Sequence, residues 1–213
     1  MNVLYWAVIC ATKFFFRCCF RHHVYGLESI YQGGAILAGN HTSFYDPPLV
    51  SASWPEPVHF LARESLFRNY LFGSFIRACN AHPVAGDVAD ISTFKIICQL
   101  LTEGKKVVLF PEGTRAANNE LGVVKPGIGF LIARANAAII PVYIHGAYTA
   151  WPRHRWFPKL WGKTACVFGT PIRWSEFAHL EKKQAYEAVA ERLTQALSAL
   201  KVWYDSGAQG TPP

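Results

Sequence analysis

Short apolar runs alternate along this chain with longer segments in which apolar residues recur every three or four positions. The short runs have the length of buried strands, and the longer segments have the period of amphipathic helices. We predict strands at residues 58–62, 107–110, 139–144 and 164–168, and a further apolar run covers residues 35–38. We predict helices at residues 47–53, 65–78 (one helix or two short ones), 90–101, 127–137 and 176–203. This alternation predicts an α/β fold, a single layered domain whose mixed sheet is flanked by helices.

The N-terminal segment is apolar at first and then carries a basic stripe. Lys13, Arg17 and Arg21 are spaced by four residues, so they share one face of a helix predicted over residues 2–22. The charges follow the apolar stretch and no convincing cleavage site is present, which is not typical of a signal peptide. No uncharged apolar run is long enough for a conventional spanning helix. We interpret residues 1–23 as an interfacial membrane-anchor helix. A helix packed on the core, with its basic stripe in water, is the alternative.

The rest of the chain shows neither an internal repeat nor a low-complexity linker, so residues 24–205 are expected to form one domain. Residues 206–213 carry no periodic pattern and are predicted to be a disordered tail. None of the six cysteines belongs to a Cys-x-x-Cys pair, and most have apolar neighbours. We therefore expect neither a zinc site nor a disulfide framework, and a reducing compartment.

The formal net charge of +7 is unevenly distributed. Residues 145–175 contain basic residues interleaved with tryptophans and no acidic residue. Cations can meet lipid phosphates while indole rings sit at headgroup depth, so this segment favours an anionic membrane surface as a partner. A solvated basic loop with core aromatics is the alternative. Nucleic acid is not an expected partner, because no RNA- or DNA-binding motif is present.

The first block with candidate chemistry covers residues 40–46 and contains His41 and Asp46. A neutral imidazole can take a proton from a hydroxyl near pH 7. It does so better when a carboxylate holds its other ring nitrogen. We predict His41 as a general base and Asp46 as the residue that orients it. An ordinary helix entry capped by Asp46 is the alternative, since this spacing is a weak signal.

The second block covers residues 110–115 and follows a predicted strand. Gly113 lets the backbone approach an anion closely, and the amides of such a turn can surround phosphate oxygens. Arg115 can hold a phosphate through two parallel hydrogen bonds. Glu112 could hold the loop through backbone hydrogen bonds or position Arg115. A surface turn with an ion pair is the alternative.

In order and spacing, the two blocks resemble those of the glycerolipid acyltransferases, typified by 1-acyl-sn-glycerol-3-phosphate acyltransferase. The resemblance covers about residues 24–170 and includes further similar segments at residues 61–66, 125–127 and 140–142. The chain departs from the family at two places. The block at residues 82–87 lacks an arginine that the family often has, so a basic contact to the acceptor is either missing or supplied by Arg77. Ala116 stands where the family commonly has serine.

The resemblance implies that a glycerol hydroxyl, deprotonated by His41, attacks an acyl thioester of acyl carrier protein or coenzyme A. Glu112, Gly113, Thr114 and Arg115 would bind the phosphate of the acceptor, a lysophospholipid, and Arg63 and Lys125 would be further contacts. No metal and no cofactor beyond the thioester co-substrate are implied. The implied reaction acylates the sn-2 hydroxyl of 1-acyl-sn-glycerol-3-phosphate and gives phosphatidic acid, in phospholipid biosynthesis. The implied location is the cytoplasmic face of the inner membrane.

Other activities stay open at this point. The acceptor could be glycerol-3-phosphate or another lysophospholipid. A thioester hydrolase with Ser43 as nucleophile is a second class, although no Gly-x-Ser-x-Gly elbow is present. A non-catalytic peripheral membrane protein is a third.

Overall fold

One mixed β-sheet, covered by helices on both faces, organises the chain. The computed structural model describes residues 3–28, 31–84 and 91–213. The strands within these ranges are β1 His23–Tyr25, β2 Ala35–Gly39, β3 Val58–Arg63, β4 Ala81–Val84, β5 Lys106–Leu109, β6 Ala138–His145, β7 Ala165–Phe168 and β8 Ile172–Arg173. The helices are α1 Val3–Phe20, α2 Asp46–Ser53, α3 Tyr70–Ala78, α4 Ile91–Thr102, α5 Gly127–Ala135, α6 Ala147–Ala150 and α7 Lys182–Asp205, with 3-10 helices at Glu64–Phe67 and Trp174–Glu176.

The order of the strands brings the two sequence blocks together. The sheet runs β1-β7-β6-β2-β5-β3-β4, with β8 beside β6. Strand β2 is parallel to both of its neighbours, β5 and β6, and Ala38 pairs with Leu109 in the register between β2 and β5. Because neighbouring parallel strands end at the same edge of a sheet, the segments that follow β2 and β5 lie side by side.

The hydrophobic core lies in two layers, one on each face of the sheet. Successive residues of β2 alternate between them, as a pleated strand requires. Ala35 and Leu37 belong to a cluster with residues of α1 and α2. Ile36 and Ala38 belong to a cluster with residues of α4, α5 and α7. The predicted α/β class, with a mixed sheet flanked by helices, is confirmed.

Most predicted elements lie within two residues of the observed ones, and the segment at 65–78 forms a 3-10 helix followed by α3. Helix α7 begins at Lys182, later than predicted, because the segment before it forms a 3-10 turn closed by a hydrogen bond from the Arg173 amide to Glu176. The sequence pattern does not predict strands β1, β4 and β8 or the short helix α6. Residue 90, the predicted start of α4, and residues 85–87 of the block that lacks an arginine lie outside the described residues.

Helix α1 is part of the core rather than a separate unit. Phe16 and Phe20 are buried in the cluster that contains α2, and the Tyr5 hydroxyl accepts a hydrogen bond from the Val58 amide. The predicted boundary at residue 23 therefore does not divide two packing units. The other side of the helix, including Phe14, is exposed. By length and composition, the segment Val3–Phe20 could cross a membrane, contrary to the sequence expectation, and 22% of it is buried. This composition is consistent with membrane association.

The C-terminal segment, which we predicted to be disordered, makes defined contacts in the structure. The Trp203 indole donates to the Gln209 carbonyl, and the Thr170 amide donates to the Pro213 carbonyl. Pro212 is buried. Residues 206–213 therefore fold back against the end of α7 and the turn after β7.

His22 connects the end of α1 to the end of α2 and to the residue before β7 through hydrogen bonds. Its Nδ1 lies 2.9 Å from the Thr164 hydroxyl, and its Nε2 lies 2.8 Å from the Ser53 hydroxyl. Burial is the largest cause that lowers the pKa of His22, from 6.5 to about 4. Because the folded state disfavours the protonated ring, the stability that depends on neutral His22 is present above pH 6.5 and is lost as the pH falls towards 4.

We predict that the free energy of unfolding falls between pH 6.5 and pH 4, and that His22→Gln reduces this dependence by up to about 3 kcal/mol. Urea unfolding at a series of pH values measures it. His154→Gln, at an exposed position, is the control and should keep the wild-type dependence. Burial also lowers the pKa of His59 to about 4, so His22→Gln should keep part of the pH dependence of the unfolding free energy. An unchanged pH dependence in His22→Gln would contradict this role.

Candidate active site

His41 and Asp46 meet in the turn between β2 and α2. The His41 Nδ1 lies 2.8 Å from the Asp46 Oδ2. The same oxygen accepts hydrogen bonds from the backbone amides of Thr42 and Ser43, each at 2.7 Å. The turn thus wraps around the carboxylate, and Asp46 is the first residue of α2, followed by Pro47 and Pro48 in the first turn of the helix. Since Nδ1 is engaged by Asp46, Nε2 is the nitrogen that can serve a substrate hydroxyl.

Two opposing effects act on the pKa of the Asp46 carboxyl. The side chain is fully buried, and burial raises the pKa of its carboxyl above the ordinary value. The hydrogen bonds from His41, Ser43 and Thr42 lower it. Donors that converge on one oxygen favour the ionised form, which is the form that can stabilise an imidazolium on His41.

The second block holds the histidine turn in place. Glu112 Oε1 accepts a hydrogen bond from the His41 amide at 3.2 Å, and the Gly122 amide donates to the same carboxylate. The Ala116 amide donates to the His41 carbonyl at 2.8 Å. Burial raises the pKa of Glu112, and these amides oppose the shift. The geometry of Glu112 therefore fits the role of holding the loops together better than the role of a phosphate ligand.

Phe110 forms the wall behind the histidine. Its ring stacks on the imidazole of His41 with centroids 4.1 Å apart and an interplanar angle of 13°. Phe110 also lines an apolar cavity of about 510 Å³ that extends between α4 and α5, with Phe94, Ile128 and Leu131 among its lining residues. This volume is within the range of roughly 300–1,000 Å³ usual for ligand pockets. A long apolar group can thus lie directly beside the His41–Asp46 pair.

Three arginines from separate segments converge beside the pair. The Arg115 guanidinium lies 3.6 Å from the ring centroid of Phe44. Burial lowers the pKa of Arg115, and the charges of Arg63 and Arg153 lower it further. Arg153 also reaches the Arg115 carbonyl, with a hydrogen bond of 3.4 Å from its Nη1. The Arg115 Nη1 is buried and has no hydrogen-bond partner among the described residues. Such a cluster of like charges with a buried donor is suited to bind a phosphate group.

The remaining residues of the predicted phosphate loop line the same turn. Gly113 has a φ of +79°, which favours glycine, and its amide donates to the Phe110 carbonyl. A Cβ at this position would lie 2.6 Å from the Lys125 Nζ, so Lys125 lies over the glycine. Thr114 is exposed. The structure thus brings Gly113, Arg115 and the two tentative contacts, Arg63 and Lys125, to the active-site edge of the sheet.

Ser43 does not fit the role of a nucleophile. Its side chain is fully buried, its hydroxyl donates to the Trp151 carbonyl at 2.8 Å, and it accepts from the Tyr45 amide. The geometry therefore opposes the hydrolase hypothesis that used this residue. Within the described ranges, no group of three or more His, Cys, Asp or Glu side chains is placed to hold a metal ion.

Sequence reasoning missed two contributors to this site. In the sequence, Arg153 belongs only to the basic segment, and Phe110 is the last residue of a predicted strand and the first of the second block, with no role of its own. The position of Phe110 directly before the loop was a usable signal. No local signal marks Arg153, because it reaches Arg115 across 38 positions of the chain.

Comparisons with known proteins return relatives of one family. A sequence model of the family described as Acyltransferase matches residues 21–145. A 1-acyl-sn-glycerol-3-phosphate acyltransferase of Bacillus subtilis is 29% identical over 180 residues, which cover 84% of this chain and 87% of the relative. One from Streptococcus pneumoniae is 31% identical over 116 residues, 54% of this chain and 42% of the relative.

Structural comparison gives the same fold. The crystal structure of the 1-acyl-sn-glycerophosphate acyltransferase from Thermotoga maritima superposes with a TM-score of 0.68 at 22% identity. The match covers 88% of this chain and 78% of that chain. At this level of identity the likeness establishes the shared fold.

We predict that Glu112→Ala lowers the free energy of unfolding by about 1–3 kcal/mol, because it leaves the amides of the half-buried residues His41 and Gly122 without their acceptor. Glu112→Gln keeps an amide oxygen for those groups and should cost less than half as much. Urea unfolding measures both variants, and Glu120→Ala, an exposed acid in the same loop, should stay within about 0.5 kcal/mol of wild type. Equal stability of Glu112→Ala and wild type would remove this role.

Proposed function

This chain belongs to the acyltransferase family, and we propose that it acylates the sn-2 hydroxyl of 1-acyl-sn-glycerol-3-phosphate to give phosphatidic acid. The observation that carries the proposal is the position of the His41–Asp46 pair beside both an arginine cluster and an apolar cavity. This arrangement fits an acceptor that has a hydroxyl, a phosphate and a fatty acyl chain. The names of the Bacillus and Streptococcus relatives support this acceptor over glycerol-3-phosphate.

The proposed reaction is a direct transfer. The His41 Nε2 removes the proton of the acceptor hydroxyl as its oxygen attacks the thioester carbonyl. A new ester bond forms, the carbon–sulfur bond breaks, and the thiolate leaves. The imidazolium, stabilised by Asp46, returns the proton to the thiolate. No step requires an acyl-enzyme intermediate.

The arginine cluster supplies the binding energy for the phosphate. A phosphate between Arg63, Arg115 and Arg153 would relieve the mutual repulsion of these side chains and satisfy the buried Arg115 donor. Since the block at residues 82–87 lacks the arginine common in the family, Arg153 takes the place of that cation in this proposal. Arg77, the substitute considered from sequence, instead lies over the Phe67 ring at 4.7 Å.

The proposal also includes the acyl donor and the membrane surface on which the enzyme works. Acyl carrier protein and coenzyme A are both anionic, and the chain's net charge of +7 suits either. We propose that the enzyme works on an anionic membrane surface at the cytoplasmic face. The basic segment supports this, because Trp156, Phe157 and Trp161 are exposed beside its cations rather than packed in the core.

His41→Ala is predicted to lower kcat by roughly 10²–10⁴-fold in acyl transfer from a thioester to lysophosphatidic acid, because the general base is lost. Asp46→Asn is expected to lower kcat in the same direction. Steady-state kinetics with purified protein measure both effects. Wild-type turnover by His41→Ala would refute the proposed mechanism.

Arg115→Ala and Arg153→Ala are predicted to raise the KM for lysophosphatidic acid roughly 10- to 100-fold, since each removes a charged hydrogen-bond donor. The rate with monoacylglycerol, which lacks the phosphate, should change little. Lys159→Ala, an exposed cation of the same basic segment, is the control. An unchanged KM in Arg153→Ala would exclude it from the phosphate site.

A further inference from the structure

Helix α3 and the 3-10 helix before it expose an unusual number of large apolar side chains. Their exposed fractions are Tyr70 82%, Leu71 79%, Phe72 47%, Leu66 45% and Phe75 43%. We call these five residues the α3 patch. Soluble monomers rarely expose contiguous apolar surface of this kind, and such surfaces commonly mark an interaction site.

Helix α3 nevertheless has a defined N-cap and packs closely on the 3-10 helix. Its N-cap, Asn69, accepts a hydrogen bond from the Phe72 amide at 3.0 Å. Gly73 is the one buried residue of α3 and packs against the 3-10 helix: a Cβ there would lie 2.8 Å from the Phe67 carbonyl oxygen. The glycine lets α3 rest closely on the 3-10 helix, so the apolar side chains are directed away from the domain.

The charges around the patch are mostly positive. Arg63, Arg68 and Arg77 flank it, against one acid, Glu64. Aromatic and aliphatic side chains with arginines at their border match the chemistry of an anionic bilayer interface, where rings enter the headgroup region and cations meet lipid phosphates.

The segment that carries the patch also follows directly after a residue of the proposed phosphate site. The 3-10 helix begins directly after Arg63, the last residue of β3, and the charge of Arg63 acts on Arg115. The patch and the proposed phosphate site therefore share one edge of the sheet. We infer that the α3 patch inserts into the interface of an anionic bilayer and brings the acceptor site to the lipid surface. This inference rests on the proposed function only for the source of the acceptor.

The test compares wild type with the double variant Tyr70→Ser/Leu71→Ser in the full chain. The probes are vesicles of phosphatidylcholine mixed with phosphatidylglycerol, and vesicles of phosphatidylcholine alone. We expect the double variant to bind the mixed vesicles at least about tenfold more weakly in co-sedimentation, because two large apolar groups no longer enter the interface. Val202→Ser, at an exposed apolar position on α7, is the matched control and should bind like wild type.

Activity separates this inference from the proposed function. The double variant should lose activity on vesicle-borne lysophosphatidic acid in parallel with binding, yet keep wild-type activity on a water-soluble short-chain lysophosphatidic acid. If the wild type does not acylate the soluble acceptor, the proposed function is refuted. Vesicle binding would then still decide whether the α3 patch inserts into the bilayer. Unchanged vesicle binding by the double variant would overturn the inference. So would equal wild-type binding to both vesicle types, or a wild-type dimer that the double variant converts to monomers with unchanged vesicle binding.

Discussion

The buried carboxylate of Asp46 is the interaction on which the geometry of this site depends. One of its oxygens accepts hydrogen bonds from the imidazole of His41 and from the amides of Thr42 and Ser43. The same group therefore closes the turn after β2, fixes which imidazole nitrogen is engaged, and places a negative charge where an imidazolium would form. Removing the charge would affect the fold of the turn and the chemistry together.

The second constraint is the parallel pairing of β2 with β5. It places the histidine turn against the loop that carries Glu112 and Arg115. The two loops are then joined by hydrogen bonds from the His41 amide to the Glu112 carboxylate and from the Ala116 amide to the His41 carbonyl. Phe110 connects this arrangement with the apolar cavity, since one face of its ring supports His41 while the residue lines the cavity. Base, phosphate site and apolar cavity are thus held in one unit by the ends of two strands.

The sequence was most informative where local pattern and global packing agree. Strands β5 and β6 are fully or almost fully buried, so they show as short apolar runs rich in Val and Ile, and both chemical blocks follow strand ends. Strand β4 was missed because it is short, lies at the sheet edge and contains Pro83. Arg153 was missed as a site residue because its contact with Arg115 is set by tertiary structure. The apolar residues of α3 indicated a helix, but a sequence pattern cannot tell whether the domain or an external surface covers them.

The central claim is that the catalytic pair transfers an acyl group directly to a phosphate-bearing acceptor. The most direct measurement incubates the purified chain with an isotopically labelled acyl thioester, with and without lysophosphatidic acid, and follows both lipids and protein by mass spectrometry. The account predicts labelled phosphatidic acid only when the acceptor is present, with no mass added to the protein. Labelled free fatty acid formed without the acceptor, or an acylated protein, would contradict it.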